Sequence, residues 1–169
     1  MPSIMLLKCV LEQLMKQFKY DDIEGLQSLV SSEFGPWSTE VEVTQAMVNQ
    51  FAELTGDDYW LHTDPERCQK ESPFGTTIVH GFLTLVLLPK MQTPMTWEVT
   101  GFNHMMNYGS NKLRFTGAVP VGSKVHSRSR VASVEKTPKG QTCVTMEQHI
   151  HVVGQERPAV IYELMFMYM

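Results

Sequence analysis

The segment LTGDDYWLHTDPE, Leu54 to Glu66, concentrates acidic and imidazole side chains between a glycine and a proline. A carboxylate and an imidazole form a workable pair for proton transfer near neutral pH, since His titrates in that range. Asp57 and His62 are the candidate pair. The alternative is that Asp57 caps a following turn and His62 hydrogen-bonds the backbone. Asp57, Asp58, His62 and Asp64 could be considered as metal ligands, but a metal site is not expected because a second well-placed His is missing.

A second candidate lies downstream in HGFLTL, where Gly81 begins an apolar helix. The first N–H groups of a helix have no partner within it and can bind an oxygen on which negative charge develops. Glycine also allows a ligand to approach closely, although tight packing of helix on sheet is an equal explanation. His80 is interpreted as a structural histidine.

The elements around these residues are predicted from capping and periodicity. Thr44 can cap a helix through Leu54, with Gly56 at its stop. The segment from Leu54 to Glu66, called here the acid–base segment, then lies on a loop or short turn, and Asp64 begins another brief helix. The run Ile78 to Pro89 has no polar face, which predicts a helix buried on all sides, with a buried strand as the rival interpretation.

From Trp97 onward the pattern is mainly that of strands. SKVHSRSRVASV alternates, PKGQ and GQERP read as turns, and AVIYELMFMYM is a strand to the last residue. Lys124, His126, Arg128 and Arg130 share one strand face, and alternating charge of this kind is typical of a solvated face. The fold class is therefore α+β: a curved antiparallel sheet wrapped around one hydrophobic helix.

The first residues predict an amphipathic helix with an apolar stripe of Leu7, Leu11, Leu14 and Phe18. Lys8 interrupts the apolar run, so a signal peptide is not predicted, and no stretch reaches the about 20 apolar residues of a membrane span. The length of 169 residues predicts one domain. A net charge of −4 argues against nucleic-acid binding. Cys9, Cys68 and Cys143, an odd number, favour reduced thiols and a cytoplasmic protein.

Two motifs make the chain resemble a known family. FAELTGDDYWLHTDPERC followed by GTTIVHGFLTLVLLPKM resembles the MaoC-like dehydratases, the (R)-specific enoyl-CoA hydratases, and in particular their nodulation protein N-like branch. The segment NYGSNKLRFTGAVPVGSKV also resembles a strand and turn of that family. The resemblance covers residues 22–134, so we divide the chain into an N-terminal helical extension, 1–21, and a MaoC-like domain, 22–169.

The resemblance implies a single hot-dog fold, a homodimer and an acyl-thioester substrate bound near the subunit interface. Asp57 and His62 would activate the water that adds to the substrate, and the Gly81 N–H would face the thioester oxygen. No cofactor is implied, because coenzyme A belongs to the substrate; an acyl carrier protein is the other possible carrier.

Tyr59-Trp60 departs from the family pattern, which has Asn-Pro at these positions. Two large aromatics there could narrow the pocket, which makes them candidate substrate contacts. Lys112 and Arg114 are candidates for the coenzyme A phosphates. A hot-dog thioesterase and a non-catalytic acyl-CoA-binding or partner subunit remain alternatives to a hydratase. The central helix, however, lacks the carboxylate that such thioesterases carry.

Overall fold

The computed structural model describes residues 15–169. It contains five α-helices and a short 3-10 helix at Leu88–Lys90, and the helices are α1 Ile23–Gln27, α2 Gln45–Thr55, α3 Trp60–Thr63, α4 Pro65–Glu71 and α5 Gly81–Val86. The strands are β1 Lys16–Lys19, β2 Val41–Glu42, β3 Trp97–Thr100, β4 Met105–Phe115, β5 Lys124–Lys136, β6 Thr142–Val152 and β7 Val160–Tyr168. No helix in this part of the chain has the length and apolarity needed to cross a membrane.

Five strands form one antiparallel sheet in the order β2-β5-β6-β7-β4. The two predicted turns connect β5 to β6 and β6 to β7, which confirms the strand predictions for the C-terminal half. β4 is an edge strand whose pairing with β7 shifts register twice, between Asn107 and Gly109 and between Ser110 and Lys112. Such irregularities bend a strand and increase its twist.

Helix α5 packs its inner side on this sheet. Leu83 and Leu87 are buried in one apolar cluster with Ile150 of β6 and Val160 of β7. The prediction of a helix buried on all sides is wrong for the single chain, because Phe82 is 59% and Val86 57% exposed. The sheet curls around one side of α5 only, so the opposite side of an all-apolar helix faces outward.

The face of the sheet opposite α5, called here the outer face, is less solvated than the sequence predicts. Arg130 forms an ion pair with Glu147 of β6 and donates to the Ser31 carbonyl over 2.6 Å. The Arg128 guanidinium lies 4.9 Å and 4.7 Å from the ring centroids of Phe34 and Trp37. Aromatic side chains from the segment before β2 therefore cover much of the predicted basic face.

Glu147 lies at the centre of the charged contacts on the outer face. Burial by itself would raise its pKa, but hydrogen bonds from His149 and Arg130 outweigh that effect and lower the pKa of Glu147. Hydrogen bonds to the charged form favour ionisation in this way. This carboxylate therefore joins β5 to β6 as an ionised group.

The prediction of an N-terminal amphipathic helix is wrong at Phe18, the last residue of its apolar stripe. Phe18 lies on β1, which pairs in parallel with β3, and not on a helix. Its ring is buried with Leu26, Val131 and Val144, so this stretch is held by the sheet and α1. The remainder of the predicted helical stripe, at Leu7, Leu11 and Leu14, lies outside the described residues.

Candidate active site

The acid–base segment begins where α2 ends. Thr44 caps α2 by accepting from the Met47 N–H over 3.3 Å, and Gly56 closes it with φ of 76°, as predicted. A positive φ of this size favours glycine because it has no Cβ. Asp57 follows directly, and its N–H donates to the Thr55 hydroxyl over 3.3 Å. The predicted helix stop therefore places Asp57 at the start of an exposed turn.

His62 lies on the one-turn helix α3 rather than on a loop. Its Nδ1 lies 2.7 Å from the Ile78 carbonyl oxygen. Since a carbonyl only accepts, Nδ1 carries the hydrogen and the neutral ring keeps a lone pair on Nε2. The backbone is fixed as well, because Gln45 Nε2 donates to the His62 carbonyl over 2.7 Å. This arrangement orients one basic nitrogen of a half-buried ring.

His80 is the site residue whose part the sequence interpretation missed. Its ring is only 2% exposed, and its Nε2 donates to the Asp57 carbonyl over 2.9 Å. The same nitrogen lies 3.9 Å from Asp57 Oδ2. The ring also stacks on that of His62, with centroids 3.8 Å apart and planes at 27°. The sequence feature that could have indicated this role is the position of His80 directly before Gly81, because its side chain then lies at the start of α5.

Asp57, His62 and His80 converge on one small volume. A carboxylate oxygen and one ring nitrogen from each histidine all lie within 4.8 Å of one another. Two hydrogen bonds of about 2.8 Å from one water span nearly this distance, so a single water can bridge the carboxylate and an imidazole. His62 already donates its Nδ1–H to a backbone carbonyl, which leaves its Nε2 available for proton transfer.

Gly81 is the first residue of α5, and its N–H precedes the first intrahelical bond, from the Thr84 N–H to the His80 carbonyl. The N–H therefore has no partner within the helix. A Cβ at this position would lie 2.8 Å from Cδ1 of Phe115 on β4. Tight packing against Phe115 thus explains the glycine, whose N–H directly follows His80 at the start of α5.

The two aromatics that depart from the family pattern lie at the rim of the site. Tyr59 is exposed, with its ring centroid 6.3 Å from that of His62. Trp60 packs under the Arg67 guanidinium, 4.3 Å from its ring centroid. Behind α3, burial raises the pKa of the Cys68 thiol, whose Sγ lies 3.6 Å from the Trp60 carbonyl oxygen. Tyr59 is therefore the better placed of the two aromatics to contact a substrate.

Lys112 and Arg114 are not brought to the acid–base pair. Leu113 packs against the core around α5, and Phe115 contacts Gly81. Since side chains alternate along a strand, Lys112 and Arg114 project from the outer face. Lys112 is registered with Glu163, which in turn is registered with Glu147. Their assignment to coenzyme A phosphates stays a prediction.

This chain is similar to known proteins over most of its length. The family model described as the MaoC-like domain matches residues 36–153. The 3-hydroxyacyl-thioester dehydratase Z of Mycobacterium tuberculosis is 41% identical over 88% of this chain and 97% of that protein. Nodulation protein N of Rhizobium meliloti is 42% identical over 82% of this chain and 85% of that protein.

A solved structure shows the same architecture. The (R)-hydratase from A. caviae involved in PHA biosynthesis superposes with a TM-score of 0.62 at 26% identity, over 80% of this chain and 96% of the other. An antiparallel sheet curled around one helix, together with these relatives, identifies a hot-dog hydratase or dehydratase of acyl thioesters, with the candidate residues Asp57 and His62 near the start of that helix. The chain belongs to the MaoC-like dehydratase family, as its motifs predicted.

Proposed function

We propose that this protein adds water across the α,β-unsaturated bond of an enoyl thioester to give the (3R)-hydroxyacyl thioester, and catalyses the reverse dehydration. The observation that supports this most directly is the convergence of Asp57 and His62 on His80, the residue directly before Gly81 at the start of α5. Neighbouring residues then supply the three groups that the reaction needs: a water-binding carboxylate, an imidazole and an N–H with no partner within its helix.

The proposed addition of water to the enoyl thioester has three steps. A water held between Asp57 and His62 loses one proton to one of these residues, and its oxygen forms a bond to the β-carbon. The electron pair of the double bond moves towards the thioester oxygen, where the Gly81 N–H stabilises the negative charge. Asp57 or His62 then gives a proton to the α-carbon, which restores the thioester and leaves the pair with the same number of protons as before. Dehydration follows the same steps in reverse.

We further propose that the active form is a homodimer. Phe82 on α5 lies 5.2 Å, centroid to centroid, from Phe115 on β4, and both side chains are exposed. Among residues 15–169, no strand pairs with the edge of β4 that faces away from β7, and the apolar surface continues there through the exposed side chains of Met105, Met106 and Tyr108. Large exposed apolar patches and unpaired strand edges are typical of association surfaces. A second copy seated here would lie beside Gly81 and the acid–base pair.

The substrate carrier is proposed to be coenzyme A or an acyl carrier protein, with no separate cofactor. We also infer a cytoplasmic location, which the thiols of Cys68 and Cys143, both free within residues 15–169, support. Both thiols are buried, so they are also protected from oxidation.

A spectrophotometric assay with crotonyl-CoA and longer enoyl-CoAs tests the proposed reaction. Loss of the enoyl absorbance, with a (3R)-hydroxyacyl product on chiral analysis, is the expected result. Release of free thiol without loss of the enoyl group would instead identify a thioesterase. Tight binding without turnover on either carrier would identify a non-catalytic subunit.

A further inference from the structure

His80 contacts both members of the proposed acid–base pair, through two different parts of its ring. Its Nε2–H donates to the backbone carbonyl of Asp57, and its face stacks on the His62 ring. Phe51 covers another side of the His80 ring, and the two ring centroids lie 5.0 Å apart. A buried imidazole with these contacts has little freedom to reorient.

The contact with the Asp57 carbonyl is the only hydrogen bond of the His80 side chain within residues 15–169. The other ring nitrogen, Nδ1, is buried and has no hydrogen-bond partner in that part of the chain. A buried polar atom without a partner carries a free-energy cost. A phenyl ring at this position would avoid that cost, but it could not hold the Asp57 carbonyl.

The stack with His62 restrains a different degree of freedom. The bond from His62 Nδ1 to the Ile78 carbonyl fixes the direction of one ring atom. The face of His80, at 3.8 Å, fixes the plane of the His62 ring. Both restraints together determine where Nε2 of His62 points.

The position of His80 in the chain adds a third connection. As the residue that caps α5, it directly precedes Gly81. The same residue thus joins the turn at Asp57, the ring of His62 and the N–H proposed to face the thioester oxygen.

We propose that His80 is a positioning residue that holds the acid–base pair in register with the Gly81 N–H. This inference rests on the proposed function and goes beyond it. A misplacement of about 1 Å can cost about 100-fold in rate, so such a residue acts mainly on kcat.

Two substitutions separate the two contacts. His80→Gln retains an amide N–H near the Nε2 position but loses the ring, and His80→Phe retains the ring but loses the donor. We expect each to lower kcat for enoyl-thioester hydration by about 10-fold, and His80→Ala, which loses both contacts, by about 100-fold. The KM should stay within about threefold, because His80 is only 2% exposed and therefore has almost no surface to offer a substrate.

His151 supplies the matched control. It is 1% exposed and lies on the outer face, away from the site. His151→Phe and His151→Gln make the same chemical changes at an equally buried histidine. They are expected to change the melting temperature but to keep kcat within about twofold of the parent. If kcat in all five variants simply follows the melting temperature, His80 is structural and the inference is wrong.

Hydrogen exchange gives a readout that does not depend on activity. Amides of residues 56–62 should exchange faster in His80→Phe and His80→Ala than in the parent, and remain near the parent rate in both His151 variants. A parent inactive on every acyl thioester would contradict the proposed function, while faster exchange would still support the positioning contact. An active parent with His80→Ala at full kcat and unchanged exchange would overturn the inference alone.

Discussion

The ring of Phe115 occupies the space that a side chain at position 81 would need: a Cβ built on Gly81 lies 2.8 to 3.0 Å from three atoms of that ring. Real Cβ atoms do not approach other atoms so closely, so the Phe115 ring or the helix backbone must shift. We expect Gly81→Ala to lower the free energy of unfolding by about 1 kcal/mol, because overpacking strains neighbouring groups. The kcat should fall by about 10-fold, since the N–H moves relative to Asp57 and His62.

The double variant Gly81→Ala/Phe115→Ala provides the control for the glycine substitution. Removing the ring makes room for the new methyl group, so adding Gly81→Ala to Phe115→Ala should cost little further stability or rate. Urea unfolding and initial rates of hydration measure the two effects. An undiminished loss in the Phe115→Ala background would contradict the steric explanation.

Asp57→Asn and His62→Gln should each lower kcat by about 10²–10⁴-fold, the range typical of general acid–base groups. Asp58→Asn is the matched control, since Asp58 is the neighbouring exposed carboxylate and is expected to keep the parent rate. Melting temperatures measured alongside show whether the fold is retained. Near-parent turnover in either Asp57→Asn or His62→Gln would contradict the assigned roles.

The proposed dimer predicts that charge on the outward side of α5 blocks association. Phe82→Glu/Val86→Glu should give a monomer at micromolar concentration by light scattering, while the parent is a dimer. Leu54→Glu is the control, because Leu54 is 83% exposed on α2 and is not expected to join the interface. A monomeric parent at these concentrations, or a parent that associates only with a different chain, would exclude the homodimer.

Two histidines of the outer face lie in partly desolvated surroundings. Burial lowers the pKa of His126, with nearby Arg128 acting in the same direction and Glu40 opposing it. Burial also lowers the pKa of His151, opposed by a hydrogen bond to the Gln155 carbonyl and assisted by the charges of Arg128, His149 and His126. Trp37 stacks on His126 at 3.9 Å and meets His151 edge-on, so it contributes to this burial.

These lowered pKa values predict a loss of stability on mild acidification. Since the unfolded chain binds these protons at higher pH than the folded one, the free energy of unfolding should fall as pH drops below about 6.5, the ordinary His value. Urea titrations at pH 7.5 and 5.5 measure the difference. His126→Gln/His151→Gln should reduce it, with exposed His104→Gln as the control substitution. An unchanged pH dependence in the double variant would contradict this origin.

The assignment of coenzyme A phosphates to Lys112 and Arg114 predicts a change in KM that depends on the carrier. Lys112→Ala/Arg114→Ala should raise KM for an enoyl-CoA and leave KM for the same enoyl group on pantetheine nearly unchanged. Lys124→Ala is the control, because Lys124 is an exposed cation of the outer face paired with Glu40 at 3.1 Å. Equal effects on both substrates would mean that the phosphates bind elsewhere.

The sequence by itself determined the features that depend only on residues close together in the chain. Thr44 and Gly56 delimit α2, Asp64 caps α4 by accepting from the Arg67 N–H over 2.9 Å, and alternation with turn residues predicts β5, β6 and β7. Caps, turns and strand alternation depend on neighbours within a few residues, so they can be read directly. The order and spacing of Gly56-Asp57, His62 and His80-Gly81 likewise identified the family.

The tertiary structure alone decided which groups meet. His80 reaches Asp57 and His62 because α5 begins where the turn after α2 passes, and Phe115 meets Gly81 because β4 lies at the edge beside α5. Phe18 belongs to a strand because β3 offers it a partner about 80 positions away. Burial on the outer face and exposure of Phe82 and Val86 likewise depend on how far the sheet curls. The periodicity of the sequence shows which residues share one face of a helix or strand, but packing against distant parts of the chain decides what each face contacts.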